Sequence, residues 1–239
     1  MKRLISCVLF LGTLLVGSTA AEKPALKVLL LSGGGYHDYA KLVPFLTNAL
    51  AGPTHATFTT MMDMDILRDA HFADPYDLVI YDLCFDTAPD ELIEHALSAT
   101  RAGKPTVMIH CAVHAFRYSP KIRDWETCCG MRSKVHDKYE PFTVIKLDPG
   151  SRITKEFPDG WKTEGDELYQ TISIDPASHA LLKVKSPQDG REHIVCWTAK
   201  YGEGRVFATT LGHDMKTASQ PEYIKLLTNG LLWAAGRLE

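Results

Sequence analysis

The sequence has little of what would place it in several protein classes. Only six of its 239 residues are cysteine, and none stands in the C-x-x-C spacing of a structural zinc site. With 17 Gly, 13 Pro and 45% hydrophobic residues, it is not collagen-like, disordered or of low complexity. It has no basic excess, since 26 Lys and Arg face 29 Asp and Glu. We therefore expect no nucleic-acid partner, because such a partner requires a basic face that replaces phosphate counterions. A small neutral or polar ligand is expected instead.

The N-terminal segment has the pattern of a signal peptide. Lys2-Arg3 supplies positive charge, an apolar stretch runs from Leu4 to Val16, and small residues at 18–21 offer a cleavage site. This stretch is too short to span a bilayer comfortably, and no later run approaches the roughly 18 apolar residues that a membrane helix needs. The sequence thus predicts a signal peptide over 1–21 and a single domain over 22–239. We expect an exported protein, periplasmic or secreted, with no membrane partner once the leader is removed.

The cysteines that follow the leader do not form a recognisable disulfide framework. There are five of them, an odd number, so at least one thiol is free within a single chain: Cys84, Cys111, Cys128, Cys129 and Cys196. A core of this size needs no disulfide. We expect the vicinal pair Cys128-Cys129 to be two separate residues.

Strand and helix patterns alternate in the first half of the chain. Continuous apolar runs and short apolar segments predict strands at 27–32, 57–61, 77–82 and 106–110. Helices are predicted at 38–50, with Asp38 as the N-cap, and at 89–102. This order requires right-handed crossovers. It predicts an α/β fold in which helices cover both faces of a mainly parallel sheet.

The second half has a different pattern. A short helix is predicted at 124–130, an amphipathic helix at 220–235, and strands at 142–147, 180–184, 193–198 and 205–210. The segment 166–169 is predicted to be a loop. An antiparallel flank on the parallel sheet fits this order.

Histidines follow three of the predicted strands. His37 comes after the glycine triplet 33–35, His110 ends the strand at 106–110, and His213 follows the last strand. Because ligands of open parallel sheets bind beyond the carboxyl ends of the strands, we expect these imidazoles to form a cluster. For each histidine alone, a capping or core hydrogen-bonded ring is the alternative.

The glycine triplet has two interpretations. Its backbone N–H groups, those of Gly34 and Gly35 included, are free to approach an anion or oxyanion. The alternative is a tight turn that merely frees His37. The segment is neither a G-x-G-x-x-G motif nor a P-loop.

Two kinds of chemistry other than acid–base catalysis are also consistent with the residues at the carboxyl ends of these strands. Cys111 follows a strand as a nucleophile would, with His213 as its base, but the flanking glycines of a nucleophile elbow are missing. A buried, inert cysteine is the alternative. A divalent metal is the other possibility, because neutral imidazoles of His37, His110 and His213, with Glu167 or Asp166, form a set suited to zinc or a similar ion. For the two acids, a solvated turn or a helix cap is the alternative.

Seven segments resemble, in order and spacing, the ThuA-like (trehalose utilisation) family. They are residues 33–38, 77–79, 102–112, 166–169 (Asp-Glu-Leu-Tyr), 201–207, 210–214 and 233–236. The resemblance runs from about Lys27 to Gly236. It implies a flavodoxin-like sheet of the class I glutamine amidotransferase type. It also implies a role in carbohydrate utilisation, on glycosides or oxidised (3-keto) sugars.

The resemblance does not extend to the amidotransferase catalytic machinery. Met215 stands where a Glu two residues after His213 would be needed. His136 matches a histidine that the family usually has after the glycine corresponding to Gly130. Trp125 and Phe116 are able to stack on a sugar ring through its C–H face, with ordinary packing as the alternative.

These observations favour an exported hydrolase or lyase on carbohydrate, with a small-molecule carbohydrate as its partner. His37, His110, His213 and Glu167 are its predicted catalytic residues, working by acid–base or metal-assisted chemistry. A non-catalytic sugar-binding module and a Cys-dependent amidase or peptidase are the alternatives. The expected substrate-binding residues are Gly34, Gly35, Tyr36, Cys111, His114, Trp125, His136, Tyr169 and Asp214. The oligomeric state is left open.

Overall fold

The structure is a computed structural model and describes residues 23–238. The predicted signal peptide at 1–21 lies outside the described residues. Within 23–238, no helix combines the length and the apolar character that crossing a membrane requires.

The described chain forms strands and helices in the order β, α, β, β, α, β, α, followed by a strand-rich second half. The strands are β1 (Leu26–Gly33), β2 (Ala56–Met61), β3 (Leu78–Leu83), β4 (Thr106–Ile109), β5 (Met131–His136), β6 (Thr143–Lys146), β7 (Trp161–Lys162), β8 (Tyr169–Ile174), β9 (His179–Lys185), β10 (Glu192–Tyr201) and β11 (Gly204–Thr209). The helices are α1 (Tyr39–Thr54), α2 (Asp90–Arg101), α3 (Ile122–Cys129), α4 (Met215–Ala218) and α5 (Pro221–Ala234).

A nine-stranded sheet organises the molecule, in the order β2-β1-β3-β4-β11-β10-β9-β6-β7. From β2 to β11 neighbouring strands are parallel. From β11 to β7 they are antiparallel. The predicted α/β fold, with its mainly parallel sheet and antiparallel flank, is confirmed. β5 and β8 pair separately as a two-stranded antiparallel ribbon.

The hydrophobic core lies on both faces of this sheet. In β1, Val28 and Leu30 pack on one face and Leu29 and Leu31 on the other, because successive side chains of a strand alternate. Helices α1 and α5 cover the first face, and α2 and α3 cover the second. This two-sided burial explains why β1 is a continuous apolar run in the sequence.

The start and end of α1 differ from the prediction. The helix continues to Thr54, beyond the predicted end at residue 50, and stops where His55 adopts a left-handed φ of 49°. Asp38 occupies the N-cap position, but its side chain makes no capping hydrogen bond. Its carboxylate instead pairs with Lys41 Nζ at 2.6 Å. Asp38 therefore has the predicted N-cap position but does not make the predicted capping hydrogen bond.

The β5–β8 ribbon was missed in the sequence. Residues 166–169 were predicted to be a loop, yet β8 begins at Tyr169. Most residues of both strands are exposed or half-buried. A ribbon of this kind lacks the apolar run or strict alternation from which a strand is predicted. Its importance is that it carries His136 and Tyr169 to the edge of the sheet.

The glycine triplet forms a tight turn packed against the next strand of the sheet. Gly33 and Gly34 have φ of 115° and 107°. A Cβ on Gly34 would collide with the backbone of Cys84 and Phe85, whereas nothing lies within 4 Å of one on Gly35. The close approach to Cys84 and Phe85 supports the tight-turn interpretation over the anion cradle.

We expect Gly34→Ala to destabilise the protein more than Gly35→Ala. Both substitutions would hold an alanine at positive φ, which costs about 1 kcal/mol or slightly more for a residue with a Cβ. Only the substitution at position 34 would also bring a Cβ into collision with backbone, so we expect about 2–3 kcal/mol in total for Gly34→Ala. Urea unfolding of the two variants measures the difference. Equal losses would show that the close packing of this turn is not needed.

Candidate functional site

Three imidazoles meet beyond the carboxyl ends of parallel strands. His37 follows β1, His110 follows β4 and His213 follows β11. The ring centroid of His37 lies 4.8 Å from that of His110 and 4.8 Å from that of His213, and the centroids of His110 and His213 are 5.3 Å apart. One nitrogen from each ring lies within 4.8 Å of the others. The structure thus brings together, as the three-histidine cluster, side chains that are far apart in the sequence.

His110 is oriented by its backbone and by a hydrogen bond. It is buried, and its φ of 47° is unusual for a residue other than glycine. Its Nδ1 lies 2.6 Å from the carbonyl oxygen of Thr210, which is only able to accept, so Nδ1 carries the proton. Nε2 is therefore the ring nitrogen that faces the cluster and is free to act as a ligand atom. This orientation is the one that metal-binding histidines commonly have.

His37 is held in its neutral form. Burial, followed by the proximity of His110 and His213, lowers the pKa of His37 to about 3. Neither of its ring nitrogens has a hydrogen-bond partner among the described residues, although both are buried. Unpaired buried nitrogens are costly unless a ligand satisfies them. His37 is consequently suited to bind a ligand or a metal.

Glu167 faces the cluster from the loop before β8. Its Oε2 lies 3.2 Å from His213 Nδ1, 3.5 Å from His110 Nε2 and 3.7 Å from His136 Nε2. Burial acts to raise the pKa of Glu167, but the contacts with His110 and His213 outweigh it and hold that pKa well below its usual value. For His213 burial acts to lower the pKa, and the Glu167 carboxylate reverses the direction and raises it. The two pKa values are pushed apart, as in acid–base pairs.

Asp166, the neighbouring acid, has a different task. Its fully buried carboxylate accepts hydrogen bonds from the backbone N–H groups of Gly212 (2.8 Å), His213 (3.1 Å) and Glu167 (2.8 Å). Burial raises its pKa. Asp166 therefore fixes the loops that carry His213 and Glu167. Of the two acids considered as ligands, Glu167 is the one that faces the imidazoles.

A cavity of about 120 Å³ adjoins the cluster. His37, His213 and Glu167 line it, whereas His110 does not. Five of the residues expected to bind substrate also line it: Tyr36, Cys111, His114, His136 and Tyr169. Gly34, Gly35, Trp125 and Asp214 are not among its lining residues.

Tyr169 forms one wall of the cavity. Its ring stacks on His114 with centroids 3.9 Å apart, and its hydroxyl lies 3.4 Å from His110 Nε2. His114 Nε2 is 2.8 Å from Ser133 Oγ, and burial lowers the pKa of His114 to about 3. The wall is therefore made of uncharged rings.

The mouth of the cavity contains two charged residues that the sequence did not reveal. Arg117 Nε lies 2.9 Å from Asp86 Oδ1, and the Tyr36 hydroxyl donates to Asp86 Oδ2 at 2.8 Å. The Arg117 guanidinium lies over the Tyr36 ring, 5.2 Å from its centroid. Tyr36 is 57% exposed. No pattern signals this group, because Asp86 and Arg117 both lie in irregular segments.

Cys111 is bonded to Cys84 in a disulfide, which the sequence analysis did not predict. A sulfur in a disulfide is not a nucleophilic thiolate, so the Cys-dependent amidase or peptidase is not supported. Cys128, Cys129 and Cys196 are free and buried, and the vicinal pair is indeed two separate residues.

Trp125 is corrected as an expected substrate contact, and Asp214 has other partners in the structure. Trp125 is 1% exposed, its Nε1–H donates to the carbonyl of Ala112, and its ring packs edge-on against Phe116. Core packing thus replaces sugar stacking for both aromatics. Asp214 caps α4 by accepting from the Lys216 N–H and also accepts from the Tyr139 hydroxyl. It positions the loop of His213.

Comparison with known families identifies the chain. The family described as ThuA, trehalose utilisation, matches residues 27–234. The chain belongs to the ThuA family. The resemblance seen in the sequence is thereby confirmed, and this membership supports a role related to trehalose utilisation. A comparison with curated proteins gave no significant match.

Solved structures agree with this membership. A ThuA-like protein of Parabacteroides merdae is 23% identical, with a TM-score of 0.75 over 90% of this chain and 92% of that one. A ThuA-like protein of Bacteroides uniformis is 15% identical, with a TM-score of 0.74 over 91% of this chain and 94% of that one. A β-galactosidase of Bacillus circulans is 10% identical, with a TM-score of 0.61 over 88% of this chain but only 31% of its own. At these identities the likeness shows the fold alone, which is flavodoxin-like and glutamine amidotransferase-like.

Proposed function

We propose that this ThuA protein is an enzyme of carbohydrate utilisation that acts on glycosides or keto-sugars. The observation that carries the proposal is the convergence of the three-histidine cluster and Glu167 beside a cavity. Family membership supports the carbohydrate part of the proposal. The donor set and its acid support the chemistry, as a hydrolase or lyase.

The three-histidine cluster fits a divalent metal. The Nε2 of His110 is oriented by the hydrogen bond from Nδ1 to Thr210, and His37 has buried nitrogens without partners. Three imidazoles are a common protein ligand set for zinc and similar ions. When bound, such a metal polarises a sugar hydroxyl or carbonyl or activates water.

Glu167 is the proposed general base. Its lowered pKa keeps it ionised at neutral pH, which is the form in which a carboxylate accepts a proton from a sugar hydroxyl, from a C–H next to a carbonyl, or from water. His136 Nε2 lies 3.7 Å from the same carboxylate oxygen. The Tyr169 hydroxyl and the His114 ring bound the space in which the reacting group fits.

The size of the cavity limits how a substrate enters. Sites that enclose a drug-sized ligand measure roughly 300–1,000 Å³. A cavity of about 120 Å³ therefore admits one edge of a sugar ring, and the remainder lies at the mouth. There, the exposed Tyr36 ring and the Arg117–Asp86 pair are available to contact it. This arrangement favours a substrate whose hydroxyl or keto edge enters the cavity while the rest of the molecule stays at the mouth.

The test combines metal analysis with a screen of glycosides and their keto forms. We expect His110→Asn and His213→Asn to lower metal affinity by at least about tenfold, because the loss of even a residue that only hydrogen-bonds a metal ligand lowers affinity by that factor. Both variants should lose turnover while they retain the fold. His179→Asn is the matched control, because its ring is exposed and pairs with Asp148 away from the cluster. Full turnover in either cluster variant would remove the mechanism. Stabilisation by sugars with no product formed would favour the sugar-binding module instead.

A further inference from the structure

A second group of potential metal ligands lies beside the first and shares one residue with it. One donor atom each from His37, Cys84 and Cys111 lie within 4.8 Å of one another. Cys84 follows β3 and Cys111 follows β4, so neighbouring strands of the sheet deliver the two sulfurs. Within residues 23–238, only this group and the three-histidine cluster bring three such donors together.

The state of the two sulfurs decides whether this second group is able to bind a metal. In the disulfide each sulfur is bonded to the other and no thiolate is present. After reduction each sulfur is a potential thiolate. Arg117 Nη2 lies 3.2 Å from the Cys84 sulfur and 3.7 Å from the Cys111 sulfur, and a nearby cation favours the thiolate form.

We propose that reduction of the Cys84–Cys111 disulfide creates a thiol-based metal site formed by His37 and the two sulfurs. Thiolate and imidazole together favour thiophilic divalent ions such as zinc, or cobalt as its spectroscopic substitute. Both nitrogens of His37 are without a partner in the described chain, so the one lone pair of its neutral ring is available either to this group or to the three-histidine cluster, but not to both at once. The site lies at the cavity, since all three residues line it. The proposal does not depend on the proposed function, because it assigns no catalytic step to these sulfurs.

Reduction of the Cys84–Cys111 disulfide requires a two-electron reductant. With a water-soluble phosphine, phosphorus attacks one sulfur and the other leaves as a thiolate. Water then transfers its oxygen to phosphorus, so that the products are two thiols and the phosphine oxide. On metal binding the two thiols release their protons to solvent, and two S–metal bonds form.

The free cysteines differ from Cys84 and Cys111 in their surroundings. Burial raises the pKa of Cys128 to about 12 and raises that of Cys196 well above its usual value. Neither belongs to a group of three potential ligands within the described chain. Cys196, in β10, is therefore a matched control for a buried cysteine that binds no metal.

The experiment compares oxidised and phosphine-reduced protein, desalted without oxygen and titrated with Co²⁺. Thiol counting after denaturation verifies that reduction adds two thiols. We expect near-ultraviolet sulfur-to-cobalt absorption in the reduced protein and none in the oxidised protein. The absorption should be lost in Cys84→Ser and Cys111→Ser and kept in Cys196→Ser. His37→Asn should weaken Co²⁺ binding at this site by at least about tenfold.

Two results would overturn the proposal. One is reduced wild-type protein, with its two additional thiols counted, that gives no sulfur-to-cobalt absorption. The other is absorption that persists in both serine variants, which would assign it to other cysteines. The wild-type comparison needs no variant to fold. Because no turnover is measured, a negative result here leaves the test of the three-histidine cluster unaffected, and the reverse also holds.

Discussion

Replacement of Asp166 by alanine is expected to lower the free energy of unfolding by about 3–5 kcal/mol and to disorder the site. The reason is the number of backbone groups that this one carboxylate satisfies. The N–H groups of Gly212, His213 and Glu167 all donate to it. Alanine leaves these donors without a partner, and each buried orphan costs about 1–3 kcal/mol. His213 and Glu167 are partly accessible to solvent, so the expected loss of stability is smaller than three times the upper cost of one buried orphan.

The measurement is urea unfolding followed by tryptophan fluorescence, with an exposed acid as control. Asp175 also accepts a backbone hydrogen bond, from the Ala177 N–H at 2.8 Å, but it lies in an exposed turn. We expect Asp175→Ala to cost less than about 1 kcal/mol. Asp166→Asn, which keeps one acceptor oxygen, should fall between the two. Equal losses at both positions would show that Asp166 does not hold the loops together.

The meeting of the three histidines could be predicted because it follows from topology. Parallel strands place their carboxyl ends at one edge of a sheet, so residues that follow β1, β4 and β11 converge however far apart they lie in the chain. The strands themselves were recognisable from buried apolar runs. As a metal ligand the sequence left Glu167 and Asp166 as alternatives, although only Glu167 was predicted to be catalytic. Asp166 and Glu167 have the same chemistry, and only the fold turns one to the backbone and the other to the cavity.

The Cys84–Cys111 disulfide was not predictable for a related reason. The two cysteines are 27 residues apart, and their proximity depends on β3 and β4 being neighbours in the sheet. The spacing alone contains no such information. The mouth formed by Tyr36, Asp86 and Arg117 has the same origin, because irregular segments have no periodicity from which their packing is inferred. Trp125 shows the opposite error. An aromatic residue between two functional segments was expected at the ligand, yet burial of its large ring in the core dominates.

Glu167→Gln is expected to lower kcat by about 10²–10⁴-fold on the substrate found in the glycoside screen, the range typical of a lost general base. Glutamine keeps the size of the side chain but does not accept a proton at neutral pH. Metal content should be largely retained, since the three-histidine cluster is intact. Glu164→Gln, an exposed acid in the same loop, should leave kcat unchanged.

A second measurement separates loss of the base from a merely structural change. The Glu167 carboxylate raises the pKa of His213 against the effect of burial, so its removal should lower that pKa in the metal-free protein. The sign is fixed, because a neutral amide no longer stabilises the protonated imidazole that the carboxylate favours. NMR titration of the His213 ring in wild type and variant measures the shift. If kcat stays within a few-fold of wild type while the pKa of His213 falls, Glu167 contacts the cluster without serving as its base, and the proton acceptor must be sought elsewhere in the cavity.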